Sequence, residues 1–245
     1  MKNSILLTSL LVLFSFTSLQ AQWWSSNSIQ GNGEVTTINV QTANYDGLSV
    51  AGNFYVTIVE GRKGNITLTG ESNLLEEVFV EVKENVLHIK TENKTNLKPS
   101  RGKKIEITVP ASRLSKIALA GSGEIKNNFN LKSDALSVKL AGSGDIKLNI
   151  EVTDLETKVA GSGDVILNGL ASNLSGSIAG SGTVDAYRLN AGNANISIAG
   201  SGDYKLNCSG DFKGRVSGSG SISYKGKPTK IDSKVAGSGR IKMVN

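Results

Sequence analysis

Seven copies of Gly-Ser-Gly punctuate the second half of this 245-residue chain at a nearly constant pitch. They begin at Gly121, Gly142, Gly161, Gly180, Gly200, Gly218 and Gly237, so successive steps are 21, 19, 19, 20, 18 and 19 residues. Ala precedes every copy except the sixth, which follows Ser217. A recurrence of this length marks one supersecondary unit that cannot bury its apolar face alone and must stack on copies of itself. The pattern constrains the architecture far more than the activity.

Within a repeat the residues alternate. In the second copy Leu136, Val138, Leu140, Gly142, Gly144, Ile146, Leu148 and Ile150 share one parity. Ser137, Lys139, Ala141, Ser143, Asp145, Lys147 and Asn149 hold the other. This is the period-two signature of a half-buried strand, and it passes through the glycines without losing phase. Aligning the copies gives ladders. Ile125, Ile146, Val165, Val184, Tyr204, Ile222 and Ile241 follow the glycines, and Leu119, Leu140, Val159, Ile178, Ile198, Val216 and Val235 precede them. Such ladders predict a parallel β-solenoid in which equivalent residues stack about 4.8 Å apart and fill an axial core. Each coil takes up about 19 residues by the spacing of the repeats. Two glycines on the inward parity mark a bend where a Cβ would clash or where φ is positive. Leucine-rich repeats lack a matching Leu-x-x-Leu-x-Leu pattern here, and propeller blades need about twice the period.

The chain divides accordingly. Residues 1–21 read as an export signal: Lys2, an apolar run from Ile5 to Leu19, and Ala21 as the small residue before cleavage. Removing them leaves 26 basic against 21 acidic residues, a formal +5 spread along the chain. With 5% aromatic residues and no concentrated basic face, nucleic acid is not expected as a partner. No transmembrane segment is expected in the mature chain. Residues 22–33, including Trp23-Trp24, are expected to be a mobile linker. Residues 34–115 form an irregular N-terminal β segment of the same domain. Its strand candidates are Val35–Val40, Phe54–Val59, Ile66–Thr69, Val78–Val82, Val86–Lys90 and Ile105–Val109, with a polar loop at 91–104. These are expected to be longer, degenerate coils capping the first end of the stack. Residues 116–245 carry the regular repeats and end at Asn245 inside a coil, with no translocator barrel expected.

Three strings, Gly52-Asn53-Phe54-Tyr55-Val56-Thr57-Ile58, Val86-Leu87-His88-Ile89-Lys90 and Ile105-Glu106-Ile107-Thr108-Val109-Pro110, precede the repeated Ala-Gly-Ser-Gly-Asp. Together they resemble the head GIN domain family of auto-transporter adhesins over about residues 34–245. The resemblance implies an all-β, right-handed single-stranded parallel β-helix exported in Gram-negative bacteria, in the periplasm, on the outer-membrane surface or secreted. It implies no catalytic or ligand residues for any position of this sequence.

The residues themselves offer few chemical candidates. Glu124, Asp145, Asp164 and Asp203 share one ladder with Thr183, Ser221 and Arg240, and stacked carboxylates can hold Ca²⁺. Calcium solenoids, however, repeat every nine residues with an Asp-bearing glycine turn in each. Lys126, Lys139, Lys147, Lys158 and Lys205 stand nearby, so surface ion pairs are the expected role. The single histidine, His88, is expected outward on a strand. The serine recurring in every Gly-Ser-Gly lacks the strand-to-helix setting of a nucleophile elbow. Cys208, the only cysteine, is expected in the core under the row of Phe129 and Ile150. Outward Ala141, Ala160, Ala179 and Ala199 beside Ser143, Ser162, Ser181 and Ser201 form a flat strip of small side chains. No catalytic, cofactor-binding or metal-ligating residue is assigned. The leading reading is a non-catalytic cell-envelope module that binds a surface glycan or an envelope protein. The alternative is a carbohydrate-active lyase or hydrolase on a β-helix, which needs clustered carboxylates in a groove.

Overall fold

Short alternating segments bounded by turn residues become the strands of the first third: β1 (Ser28–Gln30), β2 (Val35–Gln41), β3 (Gly47–Ala51), β4 (Tyr55–Val59) and β5 (Asn65–Glu71). A single helical turn, α1 (Ser72–Leu75), leads to β6 (Val78–Lys83), β7 (Val86–Thr91), β8 (Asn96–Lys98) and β9 (Glu106–Pro110). The computed structural model describes residues 28–92 and 95–244, so the expected export signal at 1–21 and Trp23-Trp24 lie outside the described residues. The repeats supply β10 (Lys116–Gly121), β11 (Glu124–Asn127), β12 (Leu131–Gly142), β13 (Asp145–Gly161), β14 (Asp164–Gly180) and β15 (Thr183–Gly200). They close with β16 (Asp203–Cys208), β17 (Asp211–Gly218), β18 (Ser221–Lys225), β19 (Lys230–Ala236) and β20 (Arg240–Met243). About 70% of the residues are in strands, and they wind a β-solenoid of about 7 turns with roughly 19 residues per coil.

The ladders hold residue for residue. Ile125 stands opposite Ile146, Ile146 opposite Val165 and Val165 opposite Val184, all parallel and in register. Leu140, Val159, Ile178, Ile198 and Val216 stack likewise on the strand before each corner. These side chains are buried, whereas Ala141, Ala160, Ala179 and Ala199 are exposed. Tyr204 is the one ring in its aliphatic ladder. It crosses the core so that its hydroxyl lies 2.8 Å from Thr157 Oγ1, and a Cβ at Gly176 would sit 2.5 Å from its ring. Burial pushes the Tyr204 phenol up, so it stays protonated.

The corners explain the glycines by two separate causes. The first glycine of each triplet has positive φ, such as +117° at Gly142 and +123° at Gly161. The second is excluded by contact: a Cβ on Gly163 would lie 2.3 Å from the Gly144 carbonyl oxygen. An eighth rung precedes the seven repeats. Gly52-Asn53-Phe54 stacks beneath Gly121-Ser122-Gly123, with Gly52 at φ +137°. Phe54 stands where later coils need glycine, and its buried ring lies across Gly52.

The N-terminal segment caps the stack but is not a run of degenerate coils. β3 and β4 form the coil on which β10 and β11 lie, while β7 and β9 pair parallel on its other side. Beyond them the pairing turns antiparallel: β6 on β7, β5 on β9 and β2 on β5. The β6–β7 turn places Glu84 and Asn85 at φ 51° and 60°, the two positive values of the hairpin turn that matches strand twist. Stack order therefore departs from chain order, because a hairpin returns the chain along the same edge where a coil would advance it. His88 is half-buried, opposite Glu81 on β6 and Ser49 on β3. Within the two stretches expected to be linker and loop, β1 and β8 pair with each other in parallel.

The buried Glu71 carboxylate ties these pieces together. It accepts the Gly33 N–H at 2.6 Å, the Ser100 N–H at 2.8 Å and the Ser100 hydroxyl at 2.6 Å. The Ser100 hydroxyl, then the backbone donors and the Lys103 charge, hold its pKa below the ordinary glutamate value. A carboxylate depressed in the folded state contributes stability above its unfolded pKa and loses it as pH falls through the folded value. The melting temperature should therefore drop as pH falls below about 4.3. In Glu71→Gln part of that acid-side decline should vanish, with a lower melting temperature at neutral pH, measured by thermal denaturation across a pH series. Parallel curves for the two proteins would remove Glu71 from this role.

Candidate functional site

Each coil turns a second corner between its returning segment and the strand that leads into the next Gly-Ser-Gly. Polar residues recur there: Asp154 pairs with Asn173 and Asn173 with Asn193, and Asp211 follows. The side chains form one hydrogen-bonded line. Asn173 Nδ2 donates to Asp154 Oδ1 at 2.9 Å, Asn193 Nδ2 to Asn173 Oδ1 at 3.1 Å, and the Asp211 N–H to Asn193 Oδ1 at 3.0 Å. The next residue of each coil points inward as Leu136, Leu155, Leu174, Ala194 and Phe212. The one after points outward as Ser137, Glu156, Ser175, Asn195, Lys213 and Asp232. Between the two polar rows runs a groove of about 820 Å³ with a mainly aliphatic floor.

Its charges are held in place. Glu156 takes a hydrogen bond from Ser137 Oγ at 2.8 Å and pairs with Lys158. Lys158, then Ser137, keeps the Glu156 carboxyl below the usual carboxylate range. Arg215 does the same to Asp232 across a 2.5 Å contact. Both carboxyls are thus pushed down, whereas a general acid for glycoside cleavage needs its pKa raised. The groove presents acceptors and amides along an apolar surface.

On the neighbouring face the rows of Ala141, Ala160, Ala179 and Ala199 and of Ser143, Ser162, Ser181 and Ser201 are exposed as expected, and a depression lies on the other side of the Ala row. Ala160, Ala179 and Ala199 with Ser177 and Ser197 floor a depression of about 620 Å³, with Lys158, Arg215 and Lys234 at its margins.

The other candidates fall into place. Glu124, Asp145, Asp164, Thr183, Asp203, Ser221 and Arg240 share one ladder in register. Lys147 Nζ lies 3.5 Å from Glu124 and 4.0 Å from Asp145, Lys126 lies 3.9 Å from Glu124, and the Ser221 hydroxyl donates to Asp203. Among the described residues, no group of three or more His, Cys, Asp or Glu side chains converges as metal ligands would. Cys208 is buried, and burial raises its thiol pKa. It stacks on Ala191, in the row of Ala171 and Val152, not under Phe129 and Ile150. An irregularity between Ala186 and Asn190 shifts the register there. The groove ladder escaped sequence reasoning for the same cause. Asp154, Asn173, Asn193 and Asp211 lie 12, 12, 13 and 11 residues after the glycine that opens their coil. Aligning on the second corner would have revealed it.

A family described as "Putative auto-transporter adhesin, head GIN domain" matches residues 44–228. Among solved structures, the chain is similar to a Bacteroides fragilis protein described as a "putative adhesin", with 25% identity and TM-score 0.76, over 88% of this chain and 100% of that one. It is also similar to a Parabacteroides distasonis protein described as a "putative lipid binding protein", with 25% identity and TM-score 0.74, over 89% and 100%. A second P. distasonis protein, described as a "putative adhesin", shares the fold at 22% identity and TM-score 0.67, over 89% and 100%. No curated protein matches the sequence. No helix among the described residues is long and apolar enough to cross a membrane.

Stacked carboxylates about 4.8 Å apart in water repel by only about 0.9 kcal/mol, which the adjacent lysines offset. Adding Ca²⁺ or a chelator should therefore leave the melting temperature almost unchanged in differential scanning fluorimetry. A bound ion at 100 times its dissociation constant would instead contribute about 2.7 kcal/mol, visible as a shift of several degrees.

Proposed function

The chain belongs to the head GIN domain family of auto-transporter adhesins, and from that premise we propose that it is a non-catalytic, exported cell-envelope module that binds a surface glycan. Residues 1–21 are its export signal, and residues 34–245 form one β-solenoid domain. The observation that carries this reading is the groove beside Asp154, Asn173, Asn193 and Asp211. Hydrogen-bonding side chains repeated along an aliphatic floor match the alternation of hydroxyls and apolar ring faces in a sugar chain. An extended ligand can engage several coils with the same contact, so weak individual interactions add along the stack. Relatives described as adhesins and the downward shift of both perturbed groove carboxyls favour binding over cleavage. A groove lined by paired strands supports this reading, because ligand contact there requires little ordering of the protein.

The test is a glycan panel probed with the purified protein and with Asn173→Ala/Asn193→Ala. Each lost hydrogen bond is worth about 1 kcal/mol, so affinity should fall roughly fivefold per side chain, with circular dichroism confirming that the variant remains folded although its ladder bonds to Asp154 and Asp211 are gone. Release of reducing ends or unsaturated products would establish the enzyme reading instead. Binding that survives the double substitution would move the site off the groove, and binding to lipid vesicles in place of glycans would overturn the ligand class.

A further inference from the structure

Among the described residues, the two long faces of the solenoid end in four outer strands, β6 and β19 on one and β2 and β20 on the other. An open edge presents unpaired N–H and C=O groups, and proteins ordinarily guard it with charge. Three of these edges follow that rule. β6 carries Glu81 and Lys83, β19 carries Lys230, Asp232 and Lys234, and β20 carries Arg240 and Lys242. β2 does not. Its seven residues, Val35-Thr36-Thr37-Ile38-Asn39-Val40-Gln41, include no charge and no proline, and five of them are Val, Ile or Thr spread over both faces. Among the described residues it pairs only with β5.

We propose that β2 is a self-association edge, pairing antiparallel with β2 of a second copy about a two-fold axis through Ile38. The inner face of β2 is unfinished in a way that a second copy completes. Ile38 and Val40 stand opposite the fully buried Leu68 and Ile66, yet Ile38 is 37% exposed. With the axis at the middle of the strand, Ile38 meets its own equivalent, and Val40 meets Thr36 of the other copy on the same face. On the outer face Thr37 meets Asn39 and Val35 meets Gln41, all neutral, so no like charges face one another. The same operation at β19, centred on Ser233, would set Asp232 against Lys234, but Arg215 already holds Asp232, and Lys225, Lys227, Lys230, Arg240 and Lys242 leave that end with an excess of positive charge that two copies would bring together. Neutrality thus selects β2. An isologous contact of this kind closes at two copies, so the assembly is a dimer with one continuous sheet across the axis and not a fibre.

The experiment is sedimentation velocity of the purified protein over a concentration series, beside Thr37→Lys/Asn39→Lys and Thr37→Glu/Asn39→Glu. Both positions face outward, with hydroxyl or amide contacts to Thr69 and Thr67 that are exposed, and circular dichroism melts confirm that each variant remains folded. The parent should be a concentration-dependent dimer. Each variant alone should be monomeric, because the register sets residue 37 against residue 39 twice. Mixing the two should restore a dimer containing one copy of each. A parent that stays monomeric, a dimer that persists in both variants, a mixture that fails to pair, or assemblies larger than two copies would each overturn the proposal.

Discussion

Everything in this solenoid hangs on how closely one corner backbone approaches the next. The Gly142 carbonyl accepts the Ser162 N–H at 2.9 Å and the Gly163 N–H at 3.1 Å. The Gly161 carbonyl does the same for Ser181 at 2.9 Å and Gly182 at 3.0 Å, and Gly200 for Ser219 and Gly220. Shared acceptors of this kind satisfy two donors with one oxygen, and they demand that nothing project from the corner toward the neighbouring coil. Glycine is the residue that leaves that space free. Once the corners are locked in register, the strands on either side have no freedom to slip, since a one-residue shift would turn every core side chain outward.

The locked register has consequences on both surfaces of the coil. Inside, it aligns aliphatic ladders from Leu119 to Val216 and from Ile125 to Ile222, each buried. A buried aliphatic side chain contributes about 1.5–3 kcal/mol before conformational entropy is charged, so no single coil is stable and the stack folds cooperatively. Tyr204 shows how tightly opposite faces are coupled, because its ring needs both the hydroxyl of Thr157 and the absence of a side chain at Gly176. Outside, the same register converts scattered polar residues into continuous rows, and the groove beside Asn173 and Asn193 is one of them. The groove is a by-product of the corner geometry.

The parity of each strand, the two ladders and the two reasons for glycine were legible because the repeat states the same answer seven times. Partners were less legible than parity. Leu48 and Val50 in β3 alternate too briefly to stand out, and Phe54 conceals the first rung by replacing its second glycine. Stacking of β3 on β10, with β7 on the far side, joins strands about seventy residues apart, and alternation carries no information about such pairing. The irregularity after Ala186 displaced Cys208 from its expected row for a local reason, an insertion that the Gly-to-Gly spacing absorbs elsewhere in the coil. The buried hub at Glu71 gave no signal either, since a glutamate at the end of a strand ordinarily faces water.

The backbone contact at the corners is tested most directly by Gly163→Ala, compared with Ser162→Ala, in equilibrium denaturation by urea. Gly163 does not have positive φ, so the substitution probes the contact with the Gly144 carbonyl without adding backbone strain. In open space, replacing glycine by alanine stabilises a protein by about 0.4–1 kcal/mol through the unfolded chain. Here the added methyl must displace a neighbouring coil, and overpacking of this kind costs about 1–3 kcal/mol. The account predicts a lower denaturation midpoint for Gly163→Ala and an almost unchanged one for Ser162→Ala. A Gly163→Ala protein as stable as its parent, or more stable, would contradict it.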